Sequence, residues 1–227
     1  MKAEHPWRIF VYIVESPSAE DVQDNRSEGS LIQRALTLIG IDSHVLIAVD
    51  RTRFREALQK GFFETWIEKG GKNPLLHISA HGTGQGLQLT NGDFVSWAEL
   101  RGLLVPLNRA MNGNLMVSMS SCSGYTGCMM AMSADADLPF LLLVGNTGKP
   151  TWSETAIAYM TFYHHVFRGS DLSVGISAMK AASGNDQFKD VFGFHARQCF
   201  LNFVDNPKSL PEVENKMSED GNSPKDS

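Results

Sequence analysis

Cysteine is scarce in this sequence. Its 227 residues hold three, Cys122, Cys128 and Cys199. An odd, small number in a chain this long argues against a disulfide scaffold, and free thiols suit a reducing compartment. Long apolar runs are missing too: no stretch approaches the roughly 18 residues that a membrane span needs. Positive charge is not in surplus. The formal net charge is -5, which leaves no basic footprint for nucleic acid. Residues 1–6 lead straight into a strand-like run, without the apolar core of a signal peptide, so the cytoplasm is the expected location. Internal repeats are absent. What remains is ordinary for a globular chain, 42% hydrophobic and 20% charged, with enough apolar material for one full core.

Two short runs carry chemistry. Residues 75–82 read LLHISAHG and residues 115–124 read LMVSMSSCSG. Each is an apolar stretch of strand length that ends in a reactive side chain followed by small residues. His81 closes the first and Cys122 the second. The carboxyl ends of strands are where open α/β sheets place their ligands.

The rest of the chain supports such a sheet. Residues 7–14 (WRIFVYIV) are β-branched and aromatic and read as the first strand. Residues 15–29 are polar and read as a loop. Leu31, Ile32, Ala35, Leu36 and Ile39 recur at helical spacing before Gly40, and residues 45–49 form the next strand. Phe54, Leu58, Phe62 and Trp66 trace a second helix up to Gly70-Gly71. After His81, a glycine-rich run and Asn91-Gly92 signal a small β-hairpin. Ser96 and Glu99, spaced as a capping box, open a helix carrying Leu100, Leu103, Leu104 and Leu107. Residues 124–134 read as a Met-rich helix and 140–144 as a buried strand. Thr151 and Glu154 open another helix, Asp171 caps a further one, and residues 192–203 are assigned an edge strand. Strands alternating with helices predict a three-layer α/β fold, a mostly parallel sheet covered on both faces. One domain is expected over residues 1–204, with a disordered acidic tail over 205–227.

If the His81 and Cys122 strands are neighbours, a base meets a nucleophile at one sheet edge. The thiolate is the reactive form, and a nearby imidazole can take the proton. The backbone N–H groups of Gly82 and Cys122 are the candidates for an oxyanion hole. The chemistry these parts suit is acyl transfer, with peptide hydrolysis its commonest form.

His81-Gly82 after one apolar strand, with Ser121-Cys122-Ser123-Gly124 after the next, resembles the caspase-like cysteine peptidase clan, which includes caspases, metacaspases and separases. Within it the chain resembles the bacterial CHAT type most. An aromatic pair and a Gly-closed helix (residues 162–169), followed by a final helix from Leu172, are similar to the CHAT ending. The resemblance covers roughly residues 7–185. It implies a caspase-like fold, His81 as general base, Cys122 as nucleophile and Gly82 as an oxyanion-hole donor. It implies no cofactor, although some clan members need calcium. It implies a protein substrate such as an effector encoded nearby, a regulatory partner or activating cleavage within 15–29 or 133–139, and a setting in antiviral defence or programmed death. The pattern departs at two places. Metacaspases that cut after Arg or Lys carry an acidic residue two before the nucleophile, where this chain has Ser120, and a His just after it, where this chain has Ser123. Asp135, Asp137 and Glu154 lie in segments able to reach the same edge, and none is assigned to specificity.

Other chemistries fit less well. His77 and His81 lie four apart on a strand, about 13 Å, too far for one metal ion. A cysteine phosphatase loop needs an Arg about six positions after the nucleophile, and that position is Cys128. The run Gly82-Thr83-Gly84-Gln85-Gly86 has no phosphate-binding Lys and opens no helix. A different class also suits the fold: a scaffold or binding domain that keeps the peptidase architecture without turnover. Thiol reactivity separates the two.

Overall fold

The computed structural model describes residues 9–205, apart from Asn25 and Ala134. A central sheet runs in the order β2 (Ser43–Ile47), β1 (Ile9–Ser16), β3 (Asn73–Thr83), β6 (Met116–Ser120), β7 (Leu142–Asn146) and β8 (Phe188–Phe192). All neighbours are parallel except β7 and β8, which are antiparallel. The end of β3 pairs with β4 (Gly86–Gln88), which pairs with β5 (Phe94–Ser96). The mostly parallel sheet and the hairpin after His81 therefore stand as expected.

The chain leaves β1 towards β2 and then reverses to β3, β6 and β7. Handed crossovers send helices to opposite faces when the direction reverses. One face is covered by α2 (Glu28–Leu38), α6 (Trp152–Phe167) and α7 (Leu172–Ser183). The other is covered by α3 (Arg51–Glu56), α4 (Phe62–Glu68), the π-helical turn Ala57–Gly61 between them, α5 (Trp97–Ala110) and the 3-10 helix Gly124–Ala131, with Ala196 of α8 (Gly193–Asp205). A short helix, α1 (Ala19–Gln23), rises from the β1 exit. Among the described residues no helix is long and apolar enough to cross a membrane.

The local chemistry explains most boundaries. Ser18, Ser27, Asp50, Ser96 and Thr151 each accept a backbone N–H at a helix start. The box at Thr151 and Glu154 closes in both directions. At Ser96 only the serine arm forms, because Glu99 turns to Arg51 and Arg55, 3.7 and 3.5 Å away. Asp171 stands at the α7 N-cap without a side-chain bond.

Two expectations need correction. Residues 15–29 are not one loop: Glu15 belongs to β1, α1 intervenes, and α2 starts at Glu28. The Met-rich segment is helical as expected, in the 3-10 form over Gly124–Ala131. Residues 192–203 are not an edge strand. The strand lies earlier, at β8, and α8 follows it. Ala196, Cys199, Phe200 and Phe203 recur at i, i+3, i+4 and i+7, a helical period that outweighs the aromatic content. The expected acidic tail, 205–227, lies outside the described residues except for Asp205, which ends α8.

Candidate active site

β3 and β6 are direct neighbours, with Ser79 opposite Ser120 as their last paired residues. His81 and Cys122 each lie two residues further on, so they leave the sheet side by side at its carboxyl edge. The chain reverses between β1 and β3, and that crevice is where an open α/β sheet binds ligands. The two exits touch through their backbones. A Cβ on Gly82 would collide with the Cys122 carbonyl oxygen and with the Ser121 side chain. Glycine is therefore required at 82 for the two strand ends to close up.

The turn after Cys122 is tight. Ser123 adopts φ 52° and ψ 23°, a left-handed conformation that costs a serine about 1 kcal/mol or more. It is held there because its N–H donates to the Gly148 carbonyl at 2.6 Å. The segment following β7 thus braces the Cys122 turn. It also delivers Lys149, whose ammonium acts on the thiol, and Trp152, whose ring meets the His81 ring edge-on at 5.5 Å.

Cys122 is half-buried. Burial pushes its thiol up, and the Lys149 charge and the residue's own backbone N–H pull it partly back, leaving it above its ordinary value. At rest the sulfur is therefore protonated. The His81 side chain is 46% exposed, and its Nε2 lies 3.6 Å from Asp21 Oδ2. Asp21 itself is buried. Burial works against its charge, but hydrogen bonds from the Ser18 hydroxyl and backbone, with Arg26 and His81 beside it, hold its carboxyl below the usual range. Asp21 is thus fixed as an anion facing the imidazole. A cavity of about 650 Å³ shares Asp21 and Trp152 with His81 and continues past Arg26, Glu28, Leu31 and Ile47.

Below this edge, on the same sheet face, lies a buried polar layer. Glu28 accepts hydrogen bonds from Ser79 Oγ at 2.5 Å and Ser120 Oγ at 2.8 Å. Its N–H donates to Glu15 Oε1 at 2.8 Å. His77 Nδ1 meets the Tyr163 hydroxyl at 2.7 Å, while its Nε2 stops 3.6 Å from Glu28 Oε2 with no hydrogen-bond partner.

The sequence singled out His81, Gly82 and Cys122, and all three lie at one edge. It did not single out Asp21, Trp152, Lys149 or Glu28. Asp21 had a signal, since Ser18 and Asp21 are spaced as a capping box. Asp135 and Asp137 do not reach this edge. They precede β7 at the opposite end of the sheet, where Arg101 and Arg109 bind them. Glu154 is occupied in capping α6. Cys128 is buried in the apolar layer. No group of three or more His, Cys, Asp or Glu residues placed to hold a metal ion occurs among the described residues.

No family model and no curated protein matches the chain. Fourteen solved chains match it in structure. One is the Arg-specific cysteine proteinase gingipain R (RGPB), at a TM-score of 0.49 and 12% identity over 82% of this chain. The match spans 46% of that proteinase's length.

Proposed function

We propose that the chain is a cysteine endopeptidase of the caspase-like clan, closest to its CHAT type, working through Cys122 and His81. One observation carries this reading: the Cys122 turn and the His81-Gly82 strand end are packed together at the sheet edge, with a fixed carboxylate beside the imidazole.

The substrate peptide lies across the edge with a side chain directed into the cavity beside His81. As Cys122 Sγ attacks the scissile carbonyl carbon, His81 takes the thiol proton. A base is needed because the resting sulfur is protonated. The Asp21 carboxylate offsets the charge that appears on the imidazole. The carbonyl oxygen gains negative charge and is met by the N–H groups of Gly82 and Cys122. The C–N bond then breaks, the amine leaves with the proton from His81, and a thioester remains on Cys122. A water molecule gives a proton to His81, attacks the thioester and releases the acid, and the proton returns to sulfur.

No cofactor takes part. The proposed location is the cytoplasm, and the proposed control is a protein partner or cleavage within 133–139. That segment is fastened by Arg101 to the Asp137 carbonyl at 2.9 Å and by Arg197 to the Ala136 carbonyl at 3.1 Å. A substrate encoded nearby and a role in bacterial defence complete the reading. The raised thiol also favours a second reading, an inactive scaffold in which Cys122 is a half-buried, idle side chain.

The test compares the intact protein with Cys122→Ala in a lysate containing candidate partners, reading new peptide N-termini by mass spectrometry. New termini with the wild-type protein alone are expected, and they also report the residue preceding the cut. Identical termini from both proteins, with Cys122 alkylated no faster than Cys128, would leave the scaffold.

A further inference from the structure

Glu28 is a buried carboxylate that lines the cavity beside His81 and to which the proposed mechanism gives no proton or bond. Its surroundings follow the sheet register row by row. Glu15 of β1 is the Cα partner of Ser79 of β3, and Ser79 is the Cα partner of Ser120 of β6. These three residues form one transverse row on the face covered by α2. Glu28, the first residue of α2, sits over that row and binds all three. Its N–H donates to Glu15, and its two carboxylate oxygens take one serine each, Oε2 from Ser79 and Oε1 from Ser120. The row below is polar as well, with His77 opposite Ser118.

The position of the row matters. Ser79–Ser120 is the last paired position between β3 and β6, so beyond it no ladder bonds tie the two strands together. His81 and Cys122 come two residues later, about 7 Å along each strand. The two serine bonds to one carboxylate are thus the final cross-tie before the strands present the base and the nucleophile. A rigid carboxylate with two hydroxyl donors fixes both the spacing and the stagger of the strands, and a misplacement of about 1 Å between reacting groups can cost on the order of 100-fold in rate.

We infer that Glu28 is a positioning residue for the Cys122–His81 pair, acting as a clamp between Ser79 and Ser120. This inference rests on the peptidase reading above. The amide of Glu28→Gln keeps the size of the side chain but replaces one acceptor oxygen by an NH2 group, so one serine must turn from donor to acceptor and the clamp loses its two charge-assisted bonds.

The experiment measures three quantities on the full chain: the rate of Cys122 alkylation by iodoacetamide relative to Cys128 across pH, kcat and KM for a peptide carrying the mapped cleavage site, and the melting temperature. Glu28→Gln is expected to lower kcat about 10- to 100-fold, and any change in KM from its place in the cavity wall should be absent in the serine variants, which do not line the cavity. It should also reduce the Cys122 alkylation rate at temperatures where the fold is intact. Ser79→Ala and Ser120→Ala should each give a smaller loss in the same direction, and neither should add its full effect to Glu28→Gln. If Glu28→Gln does not fold, the serine variants decide alone. Folded variants with wild-type kcat and wild-type Cys122 reactivity would overturn the clamp while leaving the peptidase in place. A wild-type Cys122 no more reactive than Cys128, with no cleavage dependent on it, would instead remove the peptidase reading and the clamp with it.

Discussion

The two faces of the central sheet are equally buried and chemically unlike. On the face beneath α3, α4 and α5, the strands present Phe10, Tyr12 and Val14, then Leu76, Ile78 and Ala80, then Val117 and Met119. On the other face the same strands present Val11, Ile13 and Glu15, then Leu75, His77 and Ser79, then Ser118 and Ser120. The first face is apolar along these strands up to Ser16, which ends β1 and donates its hydroxyl to the Ala48 carbonyl at 2.6 Å. The second begins apolar and turns polar towards the carboxyl edge. A buried polar group without a partner costs about 1–3 kcal/mol, so such a layer persists only where its groups are matched. Alternation along β3 and β6 continues the polar rows to His81 and Cys122. One face supplies stability, and the other supports the site that its rows lead into.

The largest effect should come from the site end of the polar rows. His81→Ala removes the proposed base from beside a thiol that burial pushes up, and kcat/KM should fall about 1000-fold, equal to about 4 kcal/mol of transition-state stabilisation. Steady-state kinetics on the mapped peptide would measure it. The melting temperature should hold, because the imidazole is 46% exposed. A fall of less than tenfold would separate His81 from the chemistry and end the pairing.

The apolar face should respond in the opposite way. Leu76 is 0% exposed, and Leu76→Ala should lower the unfolding free energy by about 2–5 kcal/mol. Urea denaturation gives that number. Well below the melting temperature, the ratio of Cys122 to Cys128 alkylation should stay at the wild-type value. If Leu76→Ala slowed Cys122 as much as Glu28→Gln does, the division between the faces would collapse.

Much of this division was legible in the sequence, and the illegible part has a physical cause. The strand–helix alternation, the hairpin at Asn91-Gly92 and the pairing of the His81 and Cys122 strands follow from period, turn chemistry and crossover rules. The polar stripe was also present, since His77, Ser79 and His81 alternate in one strand and Ser118, Ser120 and Cys122 in the other. Its partner was hidden. Glu28 lies in a stretch whose serines, aspartates and glutamates read as a solvated loop, and only tertiary contact turns its carboxylate inward. Asp21 was hidden for the same reason, although its spacing from Ser18 announced a helix start. Lys149, in the loop after β7, and Trp152, at the start of α6, reach the site from beyond the strand next to β6, a meeting that local pattern does not encode. The error at residues 192–203 is of another kind. Aromatic content suggested a strand where the period was helical.

Asp21→Asn gives a smaller effect than either change above. The amide stays within reach of the Ser18 and Arg26 contacts but no longer offsets a charged imidazole. The expected loss is about tenfold in kcat, about 1.4 kcal/mol, with KM little changed. Kinetics of Asp21→Asn beside Asp21→Glu would test it. If the glutamate variant lost as much as the amide, the placing of the carboxylate would outweigh its charge.

Lys149 should give the smallest effect and the clearest sign. Burial raises the Cys122 pKa above its ordinary value of 9.0, and the Lys149 ammonium works against that rise. In Lys149→Ala the opposing charge is gone, so the pKa moves further up. Only the thiolate reacts, so at any pH below the midpoint alkylation should slow. The side chain is exposed and forms no ion pair among the described residues, so the slowing should be about two- to fivefold, in the range of a solvent-screened charge. Well above both midpoints the two proteins should converge, because both are then fully thiolate. Added salt should shrink the difference, and Lys149→Arg should preserve the wild-type profile. A profile in Lys149→Ala that moves to lower pH would show that burial, rather than an exposed cation, sets the thiol. Cys122 would then owe its reactivity to His81 and the clamp beneath it alone.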